Sequence, residues 1–244
     1  MTFSYKSLLA EAPRGTPLST SWLASKGLEA KHASYLAATG WLLRLGRGVY
    51  ALPGDTLDRD ASVAFLATVI PGLHVAGQTA LSWRGVRHQI AFDETLVLWG
   101  NSPANLPAWF TERFRARYQS TLLFDARMPT ALGISSTPAG RPDLPVSTPE
   151  RALLELLSDV GRQYALASVR DLMASTTALR IIVLEELMGH LKRIKVARLA
   201  DELAESLDLP WKDVARRASM RLGGGRRWVA VGRTGERLNL RRPA

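Results

Sequence analysis

The segment Thr39–Gly54, TGWLLRLGRGVYALPG, constrains the fold more than any other part of the chain. A short apolar run enters Gly46-Arg47-Gly48, and Val49-Tyr50-Ala51-Leu52 returns from it. Glycines supply the backbone freedom that a tight reversal needs, so the segment predicts a β-hairpin with Arg47 at its tip and Arg44 on the leading strand. A hairpin tipped with arginine is either a plain surface hairpin or a probe for something anionic. The residues before it decide between the two.

Those residues predict three helices. Phe3–Ala12 places Tyr5, Leu8, Leu9 and Ala12 on one face, and PRGTP breaks the pattern. Ser19 or Thr20 caps a second, short helix that carries Trp22 and Leu23 and ends at Gly27. The third, LEAKHASYLAATG, turns Leu28, Ala33, Leu36 and Ala37 inward and Lys31, His32, Ser34, Tyr35 and Ala38 outward. Helix, helix, tight turn, helix, hairpin is the order of a winged helix-turn-helix, in which the third helix enters the major groove and the hairpin is the wing. On this reading the DNA-binding residues are Ser19, Thr20, Lys31, His32, Ser34, Tyr35, Arg44 and Arg47. The polar groups of the third helix suit base edges or phosphates, and the arginines suit phosphate or a narrow minor groove. A winged helix used for protein contact is the competing reading.

Charge favours an anionic partner. The chain has 244 residues with 32 Lys and Arg against 22 Asp and Glu, a formal net charge of +10. The excess is uneven: residues 1–60 carry net +2, residues 61–150 net +1, and residues 151–244 net +7. Summed positive charge steers association with polyanions, although an arginine-rich composition without a binding role gives the same balance. There is no cysteine, so disulfides and thiolate metal sites are excluded, which fits a reducing cytosol. The N-terminus lacks the apolar centre of a secretory signal, and no apolar run approaches the roughly 18 residues of a membrane span. A cytoplasmic protein with no membrane partner is expected.

The polar stretch LPGDTLDRD marks an expected domain boundary, with a winged helix at residues 1–56 and a larger region at 57–244. Within the latter, 57–148 reads as mixed α/β and 149–244 as helical with a terminal β-hairpin, RWVAVG and RLNL joined by RTGE. The predicted class is therefore α+β. Val63–Ile70 predicts a helix, ETLVLWG and STLLFDA predict strands, and DLPWKDVARRAS predicts a short cap-and-turn piece. STPERALLELL opens a helix with Ser147 or Thr148 as cap, Pro149 at the first position and Glu150 in the first turn.

No constellation demands catalysis. His32, His74, His88 and His190 include no pair at helical zinc spacing and no cysteine joins them, so no metal or cofactor is expected. Asp93, Glu94 and Asp125 lie near strand ends, as a metal-dependent nuclease tethered to a winged helix would have them, but no Glu-x-Lys follows. No Gly-x-Ser-x-Gly is present. The glycines of Gly223–Arg227, GGGRR, lead into a strand, whereas a phosphate cradle leads into a helix. Lys192, Arg193 and Lys195 in KRIK, with Arg226 and Arg227, are either solvated charge or contacts to an anion.

Three stretches together carry a family resemblance: GLEAKHASYLAATGWLLRLGRGVYAL, STPERALLELL, and the tail from KRIKVARLADELAESL through RRASMRLGGGRRWVAVGRTGERLNLRRP. In this order, over most of the chain, they resemble the AbiEi antitoxins of type IV toxin–antitoxin (abortive infection) systems, which are also transcriptional regulators. The resemblance implies a non-enzymatic protein whose winged helix binds inverted repeats in its own promoter and represses the operon. It also implies that the C-terminal region counters a nucleotidyltransferase-like toxin, AbiEii, functionally and with direct binding left open. By position, the DNA-reading helix is Glu29–Thr39 and the wing Arg44–Tyr50. The antitoxin, anion-contacting surface includes Lys192, Arg193, Lys195, Arg226 and Arg227.

Overall fold

The computed structural model describes residues 5–86, 95–137, 140–176, 178–223, 228–231 and 237–240, the last two stretches as backbone. Two compact units are present: Met1–Pro71 with Ala104–Arg115, and Gly72–Pro103 with Ala116–Ala244.

The first unit begins with α1 (Tyr5–Glu11), β1 (Leu18–Ser19), α2 (Thr20–Ser25), α3 (Ala30–Ala38), β2 (Leu43–Gly46) and β3 (Val49–Ala51). The three strands form one sheet in the order β1-β3-β2, antiparallel throughout. β1 is the element that the sequence pattern missed, because two residues show no alternation to read. Its pairing of Leu18 with Tyr50 anchors the hairpin on the side away from β2. Leu8, Leu18, Leu23, Leu28, Ala33, Leu36, Leu42, Tyr50 and Leu52 form a single apolar cluster, to which the three helices, β1 and β3 contribute and which Leu42 joins just ahead of β2. The polar stretch after β3 is tied back: Gly15 N–H donates to Asp55 Oδ2 at 2.9 Å, and Asp58 N–H donates to the Gly15 carbonyl at 2.8 Å. Asp58 also caps α4 (Arg59–Val69), its carboxylate accepting from Ala61 N–H at 2.8 Å. The compact unit therefore continues through α4 to Pro71, past the boundary expected after residue 56. Residues 104–115 add α6 (Ala108–Thr111), whose Trp109 meets Phe65 of α4 edge-on at 6.2 Å.

In the second unit, β4 (His74–Val75), β5 (Leu96–Trp99), β6 (Ala116–Gln119), β7 (Ile134–Ser135) and β8 (Val146–Ser147) form a mixed sheet in the order β6-β5-β4-β8-β7. All four residues of β5 are buried, as a continuous apolar run predicts. The helices are α5 (Gly77–Trp83), α7 (Pro149–Asp159), α8 (Leu166–Ala174), α9 (Ile181–Gly189), α10 (Ile194–Ser206) and α11 (Lys212–Leu222), and β9 (Trp228–Val231) pairs antiparallel with β10 (Arg237–Leu240).

Two expectations are corrected here. The strand lies at Ala116–Gln119, ahead of STLLFDA, in which Phe124 alone forms a bridge, to Leu191. An edge strand with Arg117 and Gln119 gives no apolar signal, whereas the apolar Leu123 and Phe124 are buried in extended chain outside the sheet. The segment read as a cap-and-turn piece opens α11, which runs on to Leu222, because Val214, Ala215, Ala218 and Ser219 share one buried face.

Candidate nucleic-acid interface

The α2–α3 pair and the hairpin are held by hydrogen bonds from three of the residues singled out as DNA contacts. Ser19 is the N-cap of α2, its Oγ accepting from Trp22 N–H at 3.0 Å. Thr20 donates from both its backbone N–H, at 3.0 Å, and its Oγ1, at 2.9 Å, to the carbonyl of Gly48 in the hairpin turn. Ser34 Oγ lies 3.3 Å from the hydroxyl of Tyr50, which is itself buried. The start of α2 and the middle of α3 are thus each fastened to β3 or its turn. Gly48 has φ +72°, and a Cβ added there would meet Thr20 Oγ1 at 2.8 Å. Gly46 has ordinary backbone, so only one of the two turn glycines is required by conformation.

The remaining candidates are exposed. Lys31, His32 and Tyr35 stand on the outer face of α3 with Ser34, while Ala33 and Leu36 are buried beneath them. His32 and Tyr35 lie with ring centroids 6.3 Å apart, and Tyr35 is 63% exposed. Gly40, with φ +82°, ends the helix, and Trp41 N–H then bonds back to the Leu36 carbonyl at 2.8 Å. Arg44 and Arg47 project from the exposed side of the hairpin.

Charge in this region is sorted by position. Lys26 pairs with Glu11 at 2.7 Å, Arg14 with Asp55 at 3.3 Å, and Arg59 with Asp60 at 2.8 Å. Lys31, Arg44 and Arg47 form no ion pair among the described residues. Of the four cations of residues 1–60 without an ion pair among the described residues, three lie on α3 and the hairpin and one, Lys6, on α1, a distribution that the small net charge of residues 1–60 conceals. Such an array has the chemistry of a phosphate-contacting surface.

The second unit carries its charges differently. Glu155 of α7 is fully buried and accepts from His74 Nε2 at 2.9 Å, Gly77 N–H at 3.0 Å, Ser147 Oγ at 2.8 Å and Arg151 Nε at 2.9 Å. Burial pushes its carboxyl up, but the His74 and Arg151 partners outweigh that and hold it below the usual range. Glu150 is bound by Arg180 through Nε and Nη2, both at 3.0 Å, and through the Arg180 N–H at 2.9 Å. Against the cost of burial, these bonds hold Glu150 down at about 2. Four residues of STPERA, Ser147, Pro149, Glu150 and Arg151, thus build the α7 junction, and Ala152 fills the core under it.

Of the basic residues singled out in the tail, Lys192 is exposed. Arg193 donates to Ser158 Oγ, and Lys195 Nζ donates to the carbonyls of Ser158, at 3.2 Å, and Val160. Both are half-buried against the C-terminal end of α7. Arg226 and Arg227 lie outside the described residues, as do Asp93, Glu94 and His88. Asp125 accepts from Arg127 Nη2 at 3.0 Å and His190 Nδ1 at 3.1 Å, and the arginine and histidine hold it at about 2. Among the described residues, no three His, Asp or Glu side chains are grouped to hold a metal ion. No helix among the described residues is long and apolar enough to cross a membrane.

Two family models together match the chain nearly from end to end. "Transcriptional regulator, AbiEi antitoxin N-terminal domain" matches residues 1–92, and "Transcriptional regulator, AbiEi antitoxin, Type IV TA system" matches residues 93–240. No curated protein matches. Among solved structures, the RV2827C protein from Mycobacterium tuberculosis is similar with a TM-score of 0.57 at 16% identity, covering 91% of this chain and 81% of that one. At that identity the likeness concerns the mixed α+β fold.

Proposed function

We propose that this chain, which belongs to the AbiEi family of antitoxins and transcriptional regulators of type IV toxin–antitoxin systems, represses its own operon through a winged helix at residues 1–56. The observation that carries the reading is the sorting of charge: Lys26, Arg14 and Arg59 are neutralised by carboxylates, and three of the four cations that are not, Lys31, Arg44 and Arg47, lie on α3 and the hairpin, the fourth being Lys6 on α1. α3 is the groove-reading helix and β2–β3 the wing. Lys31, His32 and Tyr35 face the DNA from the helix, with Ser34 beside them; Arg44 and Arg47 reach the backbone from the wing. Ser19 and Thr20 lie at the start of α2, the helix that crosses the backbone, where Thr20 also holds the wing turn through Gly48. Binding is to inverted repeats in the promoter, by two copies.

Residues 57–244 then carry the antitoxin role against a nucleotidyltransferase-like toxin without catalysis of their own. Lys192, Arg193, Lys195, Arg226 and Arg227 are the residues assigned to it, supported by the net +7 of residues 151–244.

The test is a mobility shift of the full chain on the DNA upstream of its gene, over a salt series, with random DNA as competitor. Preference for the upstream DNA, weakened by Lys31→Ala and Arg47→Ala, supports the reading. Equal affinity for both DNAs refutes autorepression. Binding unaltered by the two substitutions refutes the assignment of the site.

A further inference from the structure

The C-terminal end of α7 gathers more positive charge than it neutralises. Asp159, 4% exposed, is the carboxylate at its centre. Both its oxygens are occupied: Arg117 Nη2 donates to Oδ2 at 3.1 Å, and Gln119 Nε2 donates to Oδ1 at 3.0 Å and to Oδ2 at 3.1 Å. Arg117 also donates to the Tyr164 hydroxyl at 2.8 Å, and its buried Nη1 has no partner. Arg193 and Lys195 end on neutral acceptors of Ser158 and Val160. Arg162 is exposed and forms no ion pair among the described residues. Four cations thus face one carboxylate and one helix C-terminus, and the latter is worth about half a negative charge.

The cations register this excess. Burial, then the nearby Arg193 and Arg162, push Lys195 down to about 8, with Asp159 opposing. Burial and Arg162 likewise push Arg193 below its ordinary value. A helix C-terminus accounts for one such cation; it does not account for a set that repel one another in a half-dry site.

We propose that Arg162, Arg193 and Lys195 form a binding site for a phosphate group at the C-terminal end of α7. A phosphate carries about −1.5 to −2 charges and several acceptor oxygens, which suits an uncompensated excess of this size and the forked donors of two arginines. The site lies in the second unit, shares Arg193 and Lys195 with the antitoxin surface proposed above, and does not rest on the DNA reading. A free phosphate and the phosphates of a nucleotide share this chemistry, and the two are separable by titration.

The experiment follows Lys195 Nζ by NMR across a pH titration of the full chain, assigned with Lys195→Gln, with and without inorganic phosphate or ATP. Binding should move the midpoint from near 8 towards the ordinary lysine value of 10.5. It should do so equally in the Lys31→Ala/Arg44→Ala/Arg47→Ala variant, which removes the cationic DNA-contact candidates of the first unit. An equal response to both ligands identifies a free-anion site, and saturation at lower ATP than phosphate identifies a nucleotide. Arg162→Gln, which removes no hydrogen bond of the fold, should weaken binding about tenfold, the worth of one charge-assisted contact. A Lys195 midpoint unmoved by either ligand, or a response that Arg162→Gln leaves intact, overturns the proposal.

Discussion

The outer face of α3 with the hairpin, and the first turns of α7, are both rich in charge, and they use it in opposite ways. On α3 and the hairpin the cations are exposed and have no carboxylate, so they contribute little to stability and stay available to a partner. On α7, Glu150, Arg151 and Glu155 are buried and every charge is paired. Breaking one pair there strands another charge in a dry interior. The difference teaches that charge density alone does not mark a binding surface; pairing and exposure do.

The strongest way to break the comparison is Glu155→Ala. It leaves buried Arg151 without its carboxylate and His74 Nε2, Ser147 Oγ and Gly77 N–H without their acceptor, and should cost about 3–5 kcal/mol by denaturant melt. A loss well under that would show the α7 junction to be no more than surface charge. Next is the double substitution Lys31→Ala/Arg47→Ala. It should leave the melt unchanged and lower the log–log salt slope of DNA binding by about two units, one per phosphate contact. A destabilised protein with an unchanged slope would reverse the two regions' roles.

Smaller effects sharpen the boundary between the two uses. Gly48→Ala places a side chain at positive φ against Thr20, and should cost about 1 kcal/mol or more while weakening DNA binding through a displaced wing. Wild-type affinity in a destabilised Gly48→Ala protein would uncouple the turn from recognition. The smallest is a pH effect. Glu150 is held at about 2, below its ordinary 4.5. The stability from Arg180 is therefore fully present above about pH 4.5 and lost as pH falls towards 2. Arg180→Met should flatten that part of the stability–pH curve, measured by thermal melts.

Much of the first region was legible in order. Ala33 and Leu36 announced the buried face of α3, and the glycines announced the hairpin, because helix period and turn chemistry are local. β1 was not legible: a two-residue strand exists only because Tyr50 and Val49 pair with it. In the second unit, STPERA read correctly as a helix start. Its larger role was hidden, since His74 and Gly77 reach Glu155 from about 80 residues away in sequence. KRIK reads as either solvated charge or contacts to an anion. That Arg193 and Lys195 fold against α7 beside Arg117 and Arg162 depends on contacts more than 30 residues apart.

What the sequence by itself determined was the family, the element order at the N-terminus and the excess of positive charge, because these are written in local spacing and composition. Tertiary structure alone decided which charges are spent inside the fold and which remain. Lys26 is neutralised by Glu11 and Lys31 is not, although the two lie only five residues apart in the chain. A counter-ion is chosen by distance in space, and no run of residues records that distance.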